Sequence, residues 1–215
     1  MISKELQKRI LSSIIIIPLT FFFIIKGSYY LIFFLVSLFF LSTAEWFKMS
    51  KKNEFKILGG IFLAFTFYTT FYLRNIDLTF FLFILMICIS TDLGGYIFGK
   101  LFKGPKLIKI SPNKTYSGMI GSFFLSVITA YFFNVRYEFN IFDIQSAFKN
   151  VNIIFIGLIV SGISQIGDLI ISYFKRSSKI KNTGNILPGH GGLLDRIDGM
   201  IFVFPSIYLI MKILS

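Results

Sequence analysis

The run "VNIIFIGLIVSGISQIGDLIISYFKR", Val151–Arg176, decides the fold. Its first 24 residues carry one charged side chain, Asp168, before Lys175 and Arg176 close it. About 20 mainly apolar residues suffice to cross a bilayer as a helix, because a helix satisfies its own backbone hydrogen bonds where lipid offers none. Reading outward, comparable runs lie at 10–26, 29–47, 57–74, 78–98 and 118–135, and again at 197–214. With 151–174 they make seven expected spans and an all-α, polytopic membrane protein. The composition agrees: 55% hydrophobic and 19% aromatic residues exceed what a soluble domain of 215 residues can bury.

The first run follows the basic stretch "MISKELQKR" and resembles a signal peptide, but no small-residue cleavage pattern follows it. It reads as a retained helix carrying Pro18. The lone Cys88 excludes an intrachain disulfide framework and reads as a small buried hydrophobe.

The net charge of +12 would suggest nucleic acid in a soluble protein. In a membrane protein it points instead to cytoplasmic loops, where basic residues accumulate, so no nucleic-acid partner is expected. With the N-terminus inside, 17 of the 22 basic residues fall on the inner side; Lys26, Arg74, Arg136, Lys149 and Lys212 fall outside. This sidedness places both long polar loops, 99–117 and 175–196, on the cytoplasmic face. The expected division is residues 1–90, three helices and most of a fourth, and 91–215, the transmembrane region that carries those two loops and every candidate for chemistry named below except Glu45.

Acidic residues inside spans are costly and mark cavities or partners. Asp92 in "ISTDLGGYIFGK" and Asp168 are such residues. Glu45, at the inner end of the second span beside Trp46, reads as an interfacial carboxylate. Downstream, "PGHGG" (188–192) breaks any helix and lets backbone N–H groups turn toward an anion. The following "LLDRIDG" is expected to begin the last helix, with Asp195 and Asp198 on neighbouring faces. Around them gather Lys175, Arg176, Lys181, His190 and Arg196. Carboxylates that hold a hard cation, set among basic side chains, suit a magnesium–phosphate site. One histidine and a distant cysteine do not make a zinc set.

These residues resemble a known signature. Ser172-x-Phe174-Lys175-Arg176, then Lys181, Gly184, Leu187-Pro188, His190-Gly191-Gly192-Leu193 and Asp195-Arg196-Ile197-Asp198, is similar to that of the phosphatidate cytidylyltransferases, or CDP-diacylglycerol synthases. "TDLGGYIFGKLFKGPKLIKISPNKTYSG" resembles the same family's other polar segment, with Ser111, Lys114 and Thr115 in its S-P-x-K-T portion. The resemblance covers residues 90–200.

It implies transfer of a cytidylyl group from CTP to phosphatidic acid, giving CDP-diacylglycerol and pyrophosphate in phospholipid biosynthesis. Mg²⁺ would rest on Asp168 and Asp195, with room for a second, monovalent cation. Lys175, Arg176 and His190 join those aspartates as catalytic candidates. Lys181, Arg196, Ser111, Lys114, Thr115, Ser172, Gly191, Gly192 and Asp92 are candidates for substrate binding. A homodimer in the cytoplasmic membrane of the cell, with its site facing the cytoplasm, is the expected setting. The chain departs from the signature at Asn182, where the family has aspartate. A related CTP-dependent enzyme acting on a prenyl lipid, and a non-catalytic homologue, are the alternatives. A transporter would need two similar halves, and the sequence shows none.

Overall fold

The structure, a computed structural model, describes residues 4–108, 111–137, 152–186 and 191–214. It contains helices α1 (Lys4–Lys26), α2 (Ser28–Met49), α3 (Asn53–Ile76) and α4 (Leu78–Phe102), then strands β1 (Lys106–Ile108) and β2 (Ser111–Thr115). Helices α5 (Tyr116–Tyr137), α6 (Ile153–Ser177), α7 (Leu194–Ile197) and α8 (Met200–Leu214) follow. The all-α expectation holds, and the chain is an integral membrane protein. Among the described residues five helices, α2 to α6, are long and apolar enough to cross a membrane. At the expected first and last spans the apolar helices are shorter, Leu11–Lys26 and Met200–Leu214. At 1.5 Å per residue, α8 reaches only roughly 22 Å of a hydrocarbon core about 30 Å thick.

Two features differ from the sequence reading. The polar loop after α4 contains an antiparallel hairpin, pairing Lys106 with Thr115 and Ile108 with Ser111. The segment "LLDRID" does not open the last helix but forms the separate turn α7, and α8 starts only at Met200. Gly199 lies between them, pressed so closely on α6 that a methyl group there would overlap Ser164 Oγ.

Small residues bring the helices together, as they do where lipid gives apolar side chains no reason to associate. The backbone of α4 at Gly94 rests on that of α5 at Gly121, and the Gly95 carbonyl touches Gly118. One end of the bundle buries a cluster containing Phe80, Phe81, Phe83, Ile84, Val160, Val203 and Phe204. Nearer the hairpin, Trp46, Met49 and Leu63 from α2 and α3 pack with Ile171, Leu194 and Ile201.

Backbone groups freed by helix irregularities find partners. Pro205 has no N–H to give the Ile201 carbonyl one turn earlier, and Thr66 Oγ1 of α3 donates to that oxygen at 2.9 Å. Where α1 ends, Arg74 of α3 donates to the carbonyls of Ile24 and Ile25, both at 2.9 Å.

Candidate active site

Helix α6 carries a polar stripe at helical spacing: Ser161, Ser164 and Gln165, then Asp168, Ser172 and Lys175. The first part is tied to α4, since Thr91 Oγ1 donates to Ser161 Oγ at 2.9 Å and Gln165 Nε2 reaches the same oxygen at 3.3 Å. Beyond Gln165 the stripe opens into a cavity of about 380 Å³ between α4, α5, α6 and the hairpin. Asp92, Asp168, Asp195 and Asp198 all line it, with Lys114, Thr115 and Arg196. Four carboxyl groups from three separate stretches of chain thus share one hollow in an otherwise apolar bundle.

Three of the four carboxyls have described partners. Lys114, delivered by β2, forms an ion pair with Asp168 Oδ2, while Ser172 Oγ donates to Asp168 Oδ1 at 3.3 Å. Asp198 Oδ1 accepts the Gly199 N–H at 3.0 Å. Lys175 is 9% exposed and sits behind the cavity wall, its Nζ 2.9 Å from Asp195 Oδ1 and 3.8 Å from Asp198 Oδ2. The other Asp195 oxygen, Oδ2, accepts the backbone N–H groups of Thr183 at 2.8 Å and Gly192 at 3.1 Å. Burial by itself would raise the Asp195 pKa. The hydrogen bonds from Lys175, Thr183 and Gly192, with the Lys175 charge, outweigh burial and hold the carboxyl below its usual range.

The remaining sequence candidates distribute unevenly. Thr115 lines the cavity, its Oγ1 accepting the Gly118 N–H at 3.1 Å. Gly191 takes a φ of +89°, which favours glycine, and Gly192 supplies the N–H to Asp195. Ser111 belongs to the hairpin register opposite Ile108 and is not among the cavity-lining residues. Lys181 is exposed on the turn after α6. Arg176 also points away: its Nη1 donates to the Ile180 carbonyl at 3.1 Å, just beyond the end of its own helix. His190 lies outside the described residues.

Sequence reasoning missed the part played by Glu45. At the end of α2 it does not simply face water: it is 2% exposed, and it meets the segment that carries Asp195. Its Oε1 accepts the Leu193 N–H at 2.9 Å, and its Oε2 accepts the Leu194 N–H at 2.9 Å and the Thr183 hydroxyl at 2.8 Å.

Comparison with known proteins completes the description. The cytidylyltransferase family profile matches residues 57–214, which include every cavity-lining residue. The chain belongs to the cytidylyltransferase family. A phosphatidate cytidylyltransferase of Rickettsia felis is 36% identical over 213 residues, covering 96% of this chain and 92% of its own length. One from Rickettsia conorii is 36% identical over 221 residues, covering 98% and 94%. The phosphatidate cytidylyltransferase of Bacillus subtilis is 35% identical over 165 residues, 75% of this chain but 59% of that longer protein. In this cytidylyltransferase family member, then, the acidic cavity falls within the matched region, and so does the resemblance read from the sequence.

The donor set also bears on the metal. Among the described residues no three His, Cys, Asp or Glu side chains converge as a preformed cage. Magnesium does not require one, since it keeps several waters and is bound through one or two carboxylates plus substrate phosphates. Asp168 and Asp195 supply hard oxygens on one cavity, with two further carboxyls there and only oxygen donors needed. The residues fit the ion.

Proposed function

We propose that the chain transfers the cytidylyl group of CTP to phosphatidic acid, forming CDP-diacylglycerol and releasing pyrophosphate. The observation that carries this reading is the cavity in which Asp92, Asp168, Asp195 and Asp198 meet Lys114 and Arg196 within an apolar bundle. Such a hollow suits a reaction whose partners are a triphosphate and a phosphate fixed to lipid. The relatives' shared name gives the lipid and the nucleotide.

In the reaction a phosphate oxygen of phosphatidic acid forms a bond to the α-phosphorus of CTP. The bond from that phosphorus to the oxygen bridging to the β-phosphate breaks, and pyrophosphate leaves with the electron pair. A phosphate monoester is itself a usable nucleophile, so positioning and charge neutralisation dominate, and no protein nucleophile is needed. Lys114 and Arg196 lie where they can neutralise phosphate oxygens. Lys175, buried behind the wall, orients Asp195, and Ser172 does the same for Asp168. Asp168 and Asp195 would hold Mg²⁺, which when bound supplies positive charge to the phosphate oxygens.

Purified protein in vesicles should release pyrophosphate from CTP when phosphatidic acid is present, and chelation by EDTA should stop it. Release with a prenyl-lipid acceptor, and none with phosphatidic acid, would overturn the assignment of substrate. The charge distribution further supports a site open to the cytoplasm in the cell's inner membrane. Cysteines introduced at Lys106 and Ser178 in a Cys88→Ser background should react only with reagent on the cytoplasmic side; labelling of either from outside would overturn that orientation.

A further inference from the structure

Helix α2 lies outside the stretches that carry the signature, yet its inner end is built into the site. We propose that Glu45 is a positioning residue that holds Thr183 together with Leu193 and Leu194 and thereby sets the Asp195 carboxylate in the cavity. The inference rests on the reading of Asp195 as a participant in the reaction.

The geometry is specific. All three hydrogen bonds described for Glu45 go to one polar segment: the Leu193 and Leu194 N–H groups and the Thr183 hydroxyl. Those two amides belong to the N-cap residue and the first residue of α7, where backbone donors have no partner inside the helix. Thr183 carries the link onward, for while its hydroxyl donates to Glu45 Oε2, its backbone N–H donates to Asp195 Oδ2. Glu45 and Asp195 are therefore joined through a single residue, 5% exposed.

Packing around the carboxyl supports the same conclusion independently. A Cβ on Gly184 would stand 2.6 Å from Glu45 Oε1, and one on Gly192 would stand 2.5 Å from Oε2 and overlap Thr183 Oγ1. The two glycines leave room for this carboxyl. The helix that bears it is anchored just beyond Glu45. Trp46 packs edge-on against Phe174 of α6, and Ser178 Oγ donates to the Met49 carbonyl at 2.6 Å.

Glu45→Gln keeps size and one acceptor oxygen, but places an amide NH₂ against a donor. Turnover should fall by about tenfold or more, the loss expected when a charge-assisted acceptor is removed and its donors stay buried. The KM for phosphatidic acid should stay within about threefold, because the lipid is not the group misplaced. Glu45→Asp, shorter by one methylene, should recover part of the loss. Thr183→Val removes only the hydroxyl bond and should reduce kcat by about threefold. Amide hydrogen exchange in nanodiscs gives a reading that does not depend on activity. In Glu45→Gln the peptide holding Leu193 and Leu194 should exchange about tenfold faster, with α4 and α5 unchanged. Unchanged exchange at those amides, or an equal rise throughout the protein, would overturn the proposal. So would a normal kcat in Glu45→Gln when the unaltered protein is active. If the unaltered protein shows no turnover, the functional reading fails, and the exchange data still decide what Glu45 positions.

Discussion

Replacing Asp195 by asparagine changes one oxygen to NH₂ and leaves the shape intact, so its cost can be worked from the contacts. Oδ2 accepts two backbone N–H groups, at 2.8 and 3.1 Å, and Oδ1 accepts Lys175 Nζ at 2.9 Å. The amide oxygen can serve one of these sets. If it faces the backbone, the NH₂ confronts an ammonium group. If it faces Lys175, the NH₂ confronts two N–H donors. Either orientation loses charge-assisted bonding worth about 1.5–3 kcal/mol. It also leaves Lys175, 9% exposed, with Asp198 at 3.8 Å as its remaining carboxylate among the described ion pairs. Breaking a buried pair from one side costs about 3–5 kcal/mol, and about 3 kcal/mol is a conservative expectation for the segment's hold on its native position. Loss of a magnesium-binding carboxylate adds to the reaction barrier, so turnover should fall by at least about a thousandfold, equivalent to about 4 kcal/mol. Pyrophosphate release from CTP and phosphatidic acid vesicles measures it. The reverse exchange, Asn182→Asp, is the control: Asn182 is exposed beside Gly191, and the rate should change by less than about tenfold. A thousandfold gap between the two supports the site; Asp195→Asn turnover within tenfold of the unaltered protein refutes it.

Arg196→Ala should weaken CTP use or turnover by at least about tenfold, since Arg196 lines the cavity, whereas Arg176→Ala should cost less than about threefold, as kinetics on the two variants would show. Equal effects would mean that the cavity is not where the triphosphate binds. Gly94→Ala would drive a methyl into the Gly121 carbonyl oxygen, a backbone atom that cannot rotate away. Helices α4 and α5 would have to separate, and a loss of about 1–3 kcal/mol should appear as a lower midpoint of thermal unfolding in detergent. An unchanged midpoint would show that this contact is looser than described.

What could be read in the sequence follows from which interactions leave a mark on it. Spans announce themselves because the bilayer sets a minimum length for an apolar run, and α2 to α6 meet that length. Asp92 and Asp168 were legible because charge inside such a run needs a reason. The hairpin was not, since Lys106–Thr115 is too short for alternation to tell a strand from a polar loop. Arg176 shows the limit of counting charges: neighbouring helical residues differ by about 100° around the axis, so Lys175 turns inward and Arg176 outward. Glu45 was the hardest to read. Two of its three partners are backbone N–H groups, which every residue but proline has, so no side-chain pattern could reveal them.

Glu45 and its partners Leu193 and Leu194 stand 148 and 149 residues apart in the chain. At synthesis rates of about 5–20 residues per second, α2 leaves the ribosome roughly 7–30 s before α7 exists to receive it. During that interval the three donors described for the glutamate do not yet exist. At mid-membrane, such a side chain would hinder insertion of its own helix. Four residues from the end of α2, it can wait at the aqueous boundary until the last part of the chain arrives. The order of synthesis thus constrains where a long-range anchor of this kind can be placed, and a helix end is the position that lets the protein be inserted first and completed afterwards.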